Sequence, residues 1–199
     1  MEAIAYDERG LVPCVIQDWS TGEVLTLAYM NAEAIERTRI TGELHLWSRS
    51  RGELWRKGAT SGNTQAVHGL RYDCDADALL ALVEPAGPAC HTGQRTCFHR
   101  GDMAAAPHEA LPGLDRTIAA RAAEPAEGSY TAALLADPAK VGEKVAEEAE
   151  EVVRAAREES DERVAEEAAD VLYHLTVLLA SRGLALADAL DVLNARRRS

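Results

Sequence analysis

The spacing of apolar and polar residues changes midway along the chain. In residues 12–18 and 24–30 the apolar positions come in short runs separated by Ser20-Thr21-Gly22-Glu23. Short runs bounded by turn residues predict strands, and Thr21-Gly22 predicts a hairpin between them. Asn31 is suited to cap a short helix reaching about residue 41, with Gly42 as the left-handed residue that ends it. Residues 44–47 predict another strand. Residues 64–83 return to strand character, interrupted at 73–77, and Glu84-Pro85-Ala86-Gly87-Pro88 turns the chain back toward Cys90. Residues 48–62 are polar and cationic and predict a loop.

Beyond an Ala/Pro/Gly-rich linker from Met103 to about residue 113, the period becomes helical. Helices are expected over 111–123, 129–135, 140–158, 161–181 and 184–194. In the third, Val141, Val145, Ala149, Val152 and Ala156 form an apolar stripe, with Glu148 turned toward the interior. In the fourth, Val164, Ala168, Val171, Leu172, Leu175 and Leu178 point inward, and Glu167, Asp170 and His174 follow one edge. Arg196-Arg197-Arg198 reads as a frayed basic tail. The fold class is therefore an α+β two-domain chain, β-rich over 1–106 and all-α over 107–199.

Charge narrows the list of partners. The net charge is −12, of which −4 falls before Pro107 and −8 after it. Such a surface repels nucleic acid and anionic membranes. The start, Met1-Glu2-Ala3-Ile4, lacks the features of a signal peptide, and no uncharged run is long enough for a membrane span. A soluble, cytoplasmic protein is expected, with its four cysteines in a reducing compartment.

Three groups of residues carry candidate chemistry. Cys74, Cys90 and Cys97 lie close to Asp73, Asp75 and Asp77, which alternate. If 73–77 is extended, the aspartates share one face and Cys74 takes the other. Oxygen ligands suit Mg²⁺ or Ca²⁺, and thiolates suit Zn²⁺. Three cysteines leave a tetrahedral zinc one position open, as catalytic zinc requires. Turn aspartates and small buried cysteines are the bland alternative, and Cys14 is read as core. Arg49, Arg51, Arg56 and Lys57, among hydroxyls and glycines, form either an anion cradle or a solvated loop. Glu148 and Glu151 can face Glu167 and Asp170 across two helices, where their repulsion calls for Mg²⁺ or Mn²⁺; solvated helix charge is the alternative.

The motifs Thr21-Gly22-Glu23-Val24-Leu25, Ala28-Tyr29-Met30-Asn31, Ser48-Arg49-Ser50-Arg51, Leu54-Trp55-Arg56-Lys57-Gly58, Asp73-Cys74-Asp75-Ala76-Asp77 and Cys90-His91-Thr92-Gly93 closely resemble phosphoribosyl-AMP cyclohydrolase of histidine biosynthesis. The helical half, with Glu147-Glu148-x-x-Glu151 and Glu167-x-x-Asp170, resembles phosphoribosyl-ATP pyrophosphohydrolase, a relative of MazG-type enzymes. The pair of matches resembles the bifunctional enzyme with both activities. The resemblance implies an intertwined homodimer acting on small phosphoribosyl nucleotides. It implies Mg²⁺ on Asp73, Asp75 and Asp77, and Zn²⁺ on Cys74, Cys90 and Cys97, shared across the dimer. Mg²⁺ on Glu148, Glu151, Glu167 and Asp170 would serve hydrolysis of phosphoribosyl-ATP to phosphoribosyl-AMP and pyrophosphate. Glu147 and Lys144 would be catalytic there, and Lys140 would bind phosphate. Zinc-activated water would then open the adenine ring at C6–N1. Arg49, Arg51 and Lys57 would hold substrate phosphates, and His91 would either transfer the proton or serve a structural role.

Two rival readings remain. A structural zinc knuckle beside a protein-docking bundle needs a fourth ligand and usually a basic surface, which Cys-x₁₅-Cys-x₆-Cys and the charge of −12 do not offer. A general nucleotide pyrophosphatase, with the first domain selecting substrate, would turn over ordinary nucleoside triphosphates.

Overall fold

The computed structural model describes residues 4–102 and 104–197; Met103 of the expected linker, Arg198 of the expected tail and residues 1–3 and 199 lie outside them. The chain divides into two compact units, Met1–Ala104 and Ala105–Ser199.

The first unit contains β1 (Val12–Asp18), β2 (Val24–Met30), α1 (Ala32–Thr41), β3 (His45–Ser48), β4 (Glu53–Arg56), β5 (Gln65–Tyr72) and β6 (Leu79–Pro85). They form one sheet in the order β4-β3-β2-β1-β6-β5. β1 pairs antiparallel with β2 and parallel with β6. Along β1, Val12, Cys14, Ile16 and Asp18 are buried and alternate with half-buried residues, as the two-residue period of a strand requires. The first three join Leu25, Leu46 and Val83 in the core. Burial pushes the Cys14 thiol up to about 12, so it is an apolar filler. Asn31 Oδ1 accepts the Ala34 N–H at 2.8 Å, and Gly42, at φ 71°, closes α1 through its N–H to the Thr38 carbonyl.

The second unit contains a 3₁₀ turn, Pro107–Glu109, then α2 (Ala110–Ala123), α3 (Tyr130–Leu135), α4 (Pro138–Glu158), α5 (Asp161–Ser181) and α6 (Leu186–Arg196). Asp137 and Ser160 cap α4 and α5 by accepting the Lys140 and Arg163 amides. α4 packs along α5, around a small core of Ile118, Leu134, Val141 and Val177. Among the described residues no helix is long and apolar enough to cross a membrane.

Four expectations change. β4 lies within the stretch expected to be loop; it is a four-residue edge strand, with one adjacent apolar pair, Leu54-Trp55, between charges. Residues 73–77 form a turn rather than a strand, with Ala76 at φ 61°. Helical structure begins at Pro107, inside the expected linker, whereas α6 begins two residues late, where Asp188 accepts the Ala185 amide. Ala149, Ala156 and Leu172, expected inside, are exposed, while Glu167 and His174, expected along an edge, are buried together with Glu148, which was expected to face inward. The packed faces of α4 and α5 are thus rotated toward their polar residues, which find partners there.

Candidate active sites

In the first unit, strand alternation and two tight approaches build a cavity of about 620 Å³. Arg51, Glu53, Trp55 and Lys57 line one wall, and Cys90 and His91 line another. The four wall residues are all odd-numbered, hence on one face of β4 and its flanks. Gly58 and Gly87 allow the Asn63 segment to approach: a Cβ at Gly58 would meet the Asn63 carbonyl at 2.4 Å, and one at Gly87 would meet Asn63 Oδ1 at 2.6 Å. Asn63 Nδ2 then donates to the Pro88 carbonyl at 3.1 Å. Lys57 Nζ donates to the Ala89 carbonyl at 2.6 Å, which ties the cationic segment to the cysteine loop. Arg49 does not line this cavity; its guanidinium lies 3.8 Å from the centre of the Tyr29 ring.

The cysteine loop is held by its own backbone and by β2. Cys90 N–H donates to the Gln94 carbonyl, Gly93 N–H to the Cys90 carbonyl, and Cys97 N–H to the Leu25 carbonyl. Thr92 Oγ1 lies 3.1 Å from Cys90 Sγ. Hydrogen bonds from Thr92, then the Cys97 thiol and the Lys57 charge, hold the Cys90 thiol below its ordinary value despite burial. That favours the thiolate, the form that binds metal. Sequence reasoning missed the clamp behind this loop. Arg95 donates to Asp18 Oδ2 at 2.9 Å and to Glu23 Oε2 at 2.7 Å. Burial opposes the charge of Asp18, but hydrogen bonds from Thr21 and Ser20, with Arg95, hold its carboxyl below the usual range. An aspartate at an inward position of β1 was the available signal.

Asp73, Asp75 and Asp77 place carboxylate oxygens within 4.8 Å of one another. The turn brings them together: Asp73 accepts the Ala78 N–H at 3.1 Å, and Ala76 N–H returns to the Asp73 carbonyl. The Asp75 charge, then Asp73, raises the Asp77 pKa. An oxygen-only donor set under mutual repulsion fits a hard divalent cation. Cys90 and Cys97 are neighbours, but Cys74 is exposed and forms no three-ligand cluster with them among the described residues. Two adjacent thiols fit a soft cation such as zinc, with further ligands still required.

In the second unit, Glu148 and Glu151 of α4 and Glu167 of α5 have carboxylate oxygens within 4.8 Å of one another. Burial, partly opposed by Arg163 and reinforced by Glu151, raises the Glu167 pKa. Cations surround the group: Arg163 pairs with Glu167, Arg154 with Glu151 at 3.4 Å, and Lys144 lies 2.7 Å from Glu147 and 3.7 Å from Glu148. Asp170 is exposed and outside the three-carboxylate group; its backbone carbonyl accepts from His174 Nδ1 at 2.9 Å. The Tyr130 hydroxyl lies 3.2 Å from His174 Nε2, within hydrogen-bond distance. Lys140 is exposed near the start of α4. Like the aspartate turn, this oxygen-only set suits Mg²⁺. Tyr130 and Arg163 were missed, since neither stands out from the solvated charges and aromatics of a helical sequence.

Comparison with known proteins assigns the two units separately. Residues 26–99 match the phosphoribosyl-AMP cyclohydrolase family and residues 111–197 the phosphoribosyl-ATP pyrophosphohydrolase family. The histidine biosynthesis bifunctional protein HisIE of Bacillus subtilis (strain 168) is 52% identical, with 98% of this chain and 95% of the relative aligned. The protein of the same name from Gloeobacter violaceus is 50% identical over 99% of this chain and 92% of the relative. That from Nostoc sp. (strain PCC 7120) is 47% identical over 100% and 94%. With a cyclohydrolase-type sheet unit, a pyrophosphohydrolase-type helical unit and near-complete alignment to such relatives, the chain belongs to the family of bifunctional histidine-biosynthesis proteins.

Proposed function

We propose that the helical unit hydrolyses phosphoribosyl-ATP to phosphoribosyl-AMP and pyrophosphate, and that the sheet unit then opens the adenine ring of phosphoribosyl-AMP. The observation that carries this reading is the presence of a separate polar site in each unit. One is a cavity joining cations to Cys90 and His91, and the other is a buried carboxylate group. The boundary between the two activities is placed at 106/107, two residues past the division between the compact units. The protein acts in the cytoplasm as a homodimer on small nucleotides, without nucleic acid or membrane.

In the helical unit, Glu148, Glu151, Glu167 and Asp170 would hold Mg²⁺, which supplies charge neutralisation along the triphosphate. Lys144 and Lys140 hold phosphate oxygens. Glu147 orients the water that attacks at the α–β linkage and takes its proton. The bond from phosphorus to the bridging oxygen breaks, and pyrophosphate carries the electron pair away.

In the sheet unit, Cys74, Cys90 and Cys97 would hold Zn²⁺, with Cys74 coming from a second copy. Zinc held there would supply a water whose pKa is lowered to about 7. Arg49, Arg51 and Lys57 hold the phosphates. Asp73, Asp75 and Asp77 would hold Mg²⁺ beside Cys74. A ribosyl group on N1 makes C6 electrophilic, so the oxygen of a water adds at C6 and the C6–N1 bond breaks with its electron pair on N1; one proton of the water ends on the exocyclic nitrogen, and His91 passes the other to N1.

Product analysis tests the assignment. With phosphoribosyl-ATP, Mg²⁺ and Zn²⁺, the protein should yield pyrophosphate and the ring-opened formimino carboxamide ribotide. Release of pyrophosphate from ordinary nucleoside triphosphates at comparable rates, without ring opening, would support the general pyrophosphatase instead.

A further inference from the structure

We propose that Trp55 is the platform on which the purine ring of the sheet unit's substrate stacks; this deepens the cyclohydrolase reading and rests on it. The placement follows from β4. Trp55 shares the cavity-lining face of that strand with Arg51, Glu53 and Lys57, while Arg56 turns away to pair with Glu43 at 2.8 Å. The indole is half-buried and packs against the core, so its position is fixed. Its strand is held through the Leu46–Trp55 pairing and the Lys57 N–H to the Leu44 carbonyl.

Two cations lie over the ring, at the outer limit of a cation–π contact: Arg51 Cζ is 5.8 Å and Lys57 Nζ 5.9 Å from its centre. Glu53 steadies Arg51 at 3.0 Å. A base that stacks on the indole takes the place of these cations over the ring, and their flexible side chains are then free to meet its phosphates. Cys90 and His91 line the same cavity, so the base also meets the groups assigned to its chemistry. Adenine carrying a substituent on N1 is electron-poor, and indole is the most electron-rich aromatic side chain, which favours this pair.

The test uses the full-length, zinc-loaded protein and two variants. Trp55→Leu removes the aromatic face; KM for phosphoribosyl-AMP should rise roughly tenfold or more, with kcat changed less than about threefold. Trp55→Phe should keep KM near the wild-type value. All three tryptophans, Trp19, Trp47 and Trp55, belong to the first unit, so fluorescence reports on that unit alone. AMP should quench wild-type emission saturably, and Trp55→Phe should lose the quench. An unchanged KM in Trp55→Leu, or a quench that survives in Trp55→Phe, overturns the platform. A wild type that opens no ring but is quenched by AMP through Trp55 would overturn the cyclohydrolase reading and leave the platform standing.

Discussion

Gly58 combines two independent constraints. Its φ is +84°, and an added Cβ would meet backbone atoms of Asn63 and Thr64 at 2.4 Å. Backbone cannot swing aside as a flexible side chain can, so Gly58→Ala should cost about 2 kcal/mol or more. Denaturant unfolding measures this, and the loss should exceed that of Gly52→Ala, which has positive φ but open space around it. Arg95 contributes differently, by compensating a buried charge. Because the folded pKa of Asp18 lies below its ordinary value, its contribution is present above the unfolded carboxylate pKa and is lost as pH falls through the folded one. Arg95→Gln should cost about 2 kcal/mol at neutral pH, less than a fully buried pair because the guanidinium is a third exposed. The gap between wild type and variant should narrow below about pH 4. Unfolding curves at both pH values check this, and a gap independent of pH would contradict it. The cysteines divide similarly. In metal-free protein at mildly alkaline pH, Cys14 should react with a thiol reagent last, since burial disfavours its thiolate.

At the scale of elements, local signals were legible and long-range ones were not. The β1–β2 hairpin, Asn31 and Gly42 around α1, and the limits of α5 were readable because their causes lie within a few residues. The parallel pairing of β1 with β6 was not, because it joins segments over 60 residues apart. β4 escaped detection because four half-polar residues at a sheet edge carry little periodic signal, yet its alternation places Trp55 in the cavity. The aspartates were recognised as a group, but for the wrong geometric reason: a turn through Ala76 gathers them, not strand alternation. Glu148 was legible as an inward-facing carboxylate. The burial of Glu167 was not, since its neighbour Arg163 is one basic residue among many on these helices. If α4 and α5 form the site for pyrophosphate release, Glu148→Gln should slow that release about 100-fold or more while ring opening of supplied phosphoribosyl-AMP continues. Equal loss of both reactions would contradict the assignment of this group to the helical unit's reaction alone.

At the scale of the whole molecule, one chain carries two separately cored units, each with a proposed chemistry of its own. Each unit has its own hydrophobic cluster and its own group of convergent polar side chains. Their donor sets differ in kind: the sheet unit offers adjacent thiols as well as an aspartate turn, the helical unit carboxylates alone, so the proposal assigns zinc to the sheet unit only. The most direct measurement follows phosphoribosyl-ATP turnover by ultraviolet absorbance and pyrophosphate release, comparing wild type with Cys90→Ala in Zn²⁺ and Mg²⁺. Wild type should run through to the ring-opened product, whereas Cys90→Ala should release pyrophosphate normally and accumulate phosphoribosyl-AMP. Ring opening that proceeds at the wild-type rate in Cys90→Ala, or a folded, metal-loaded wild type that releases no pyrophosphate, would contradict this expectation.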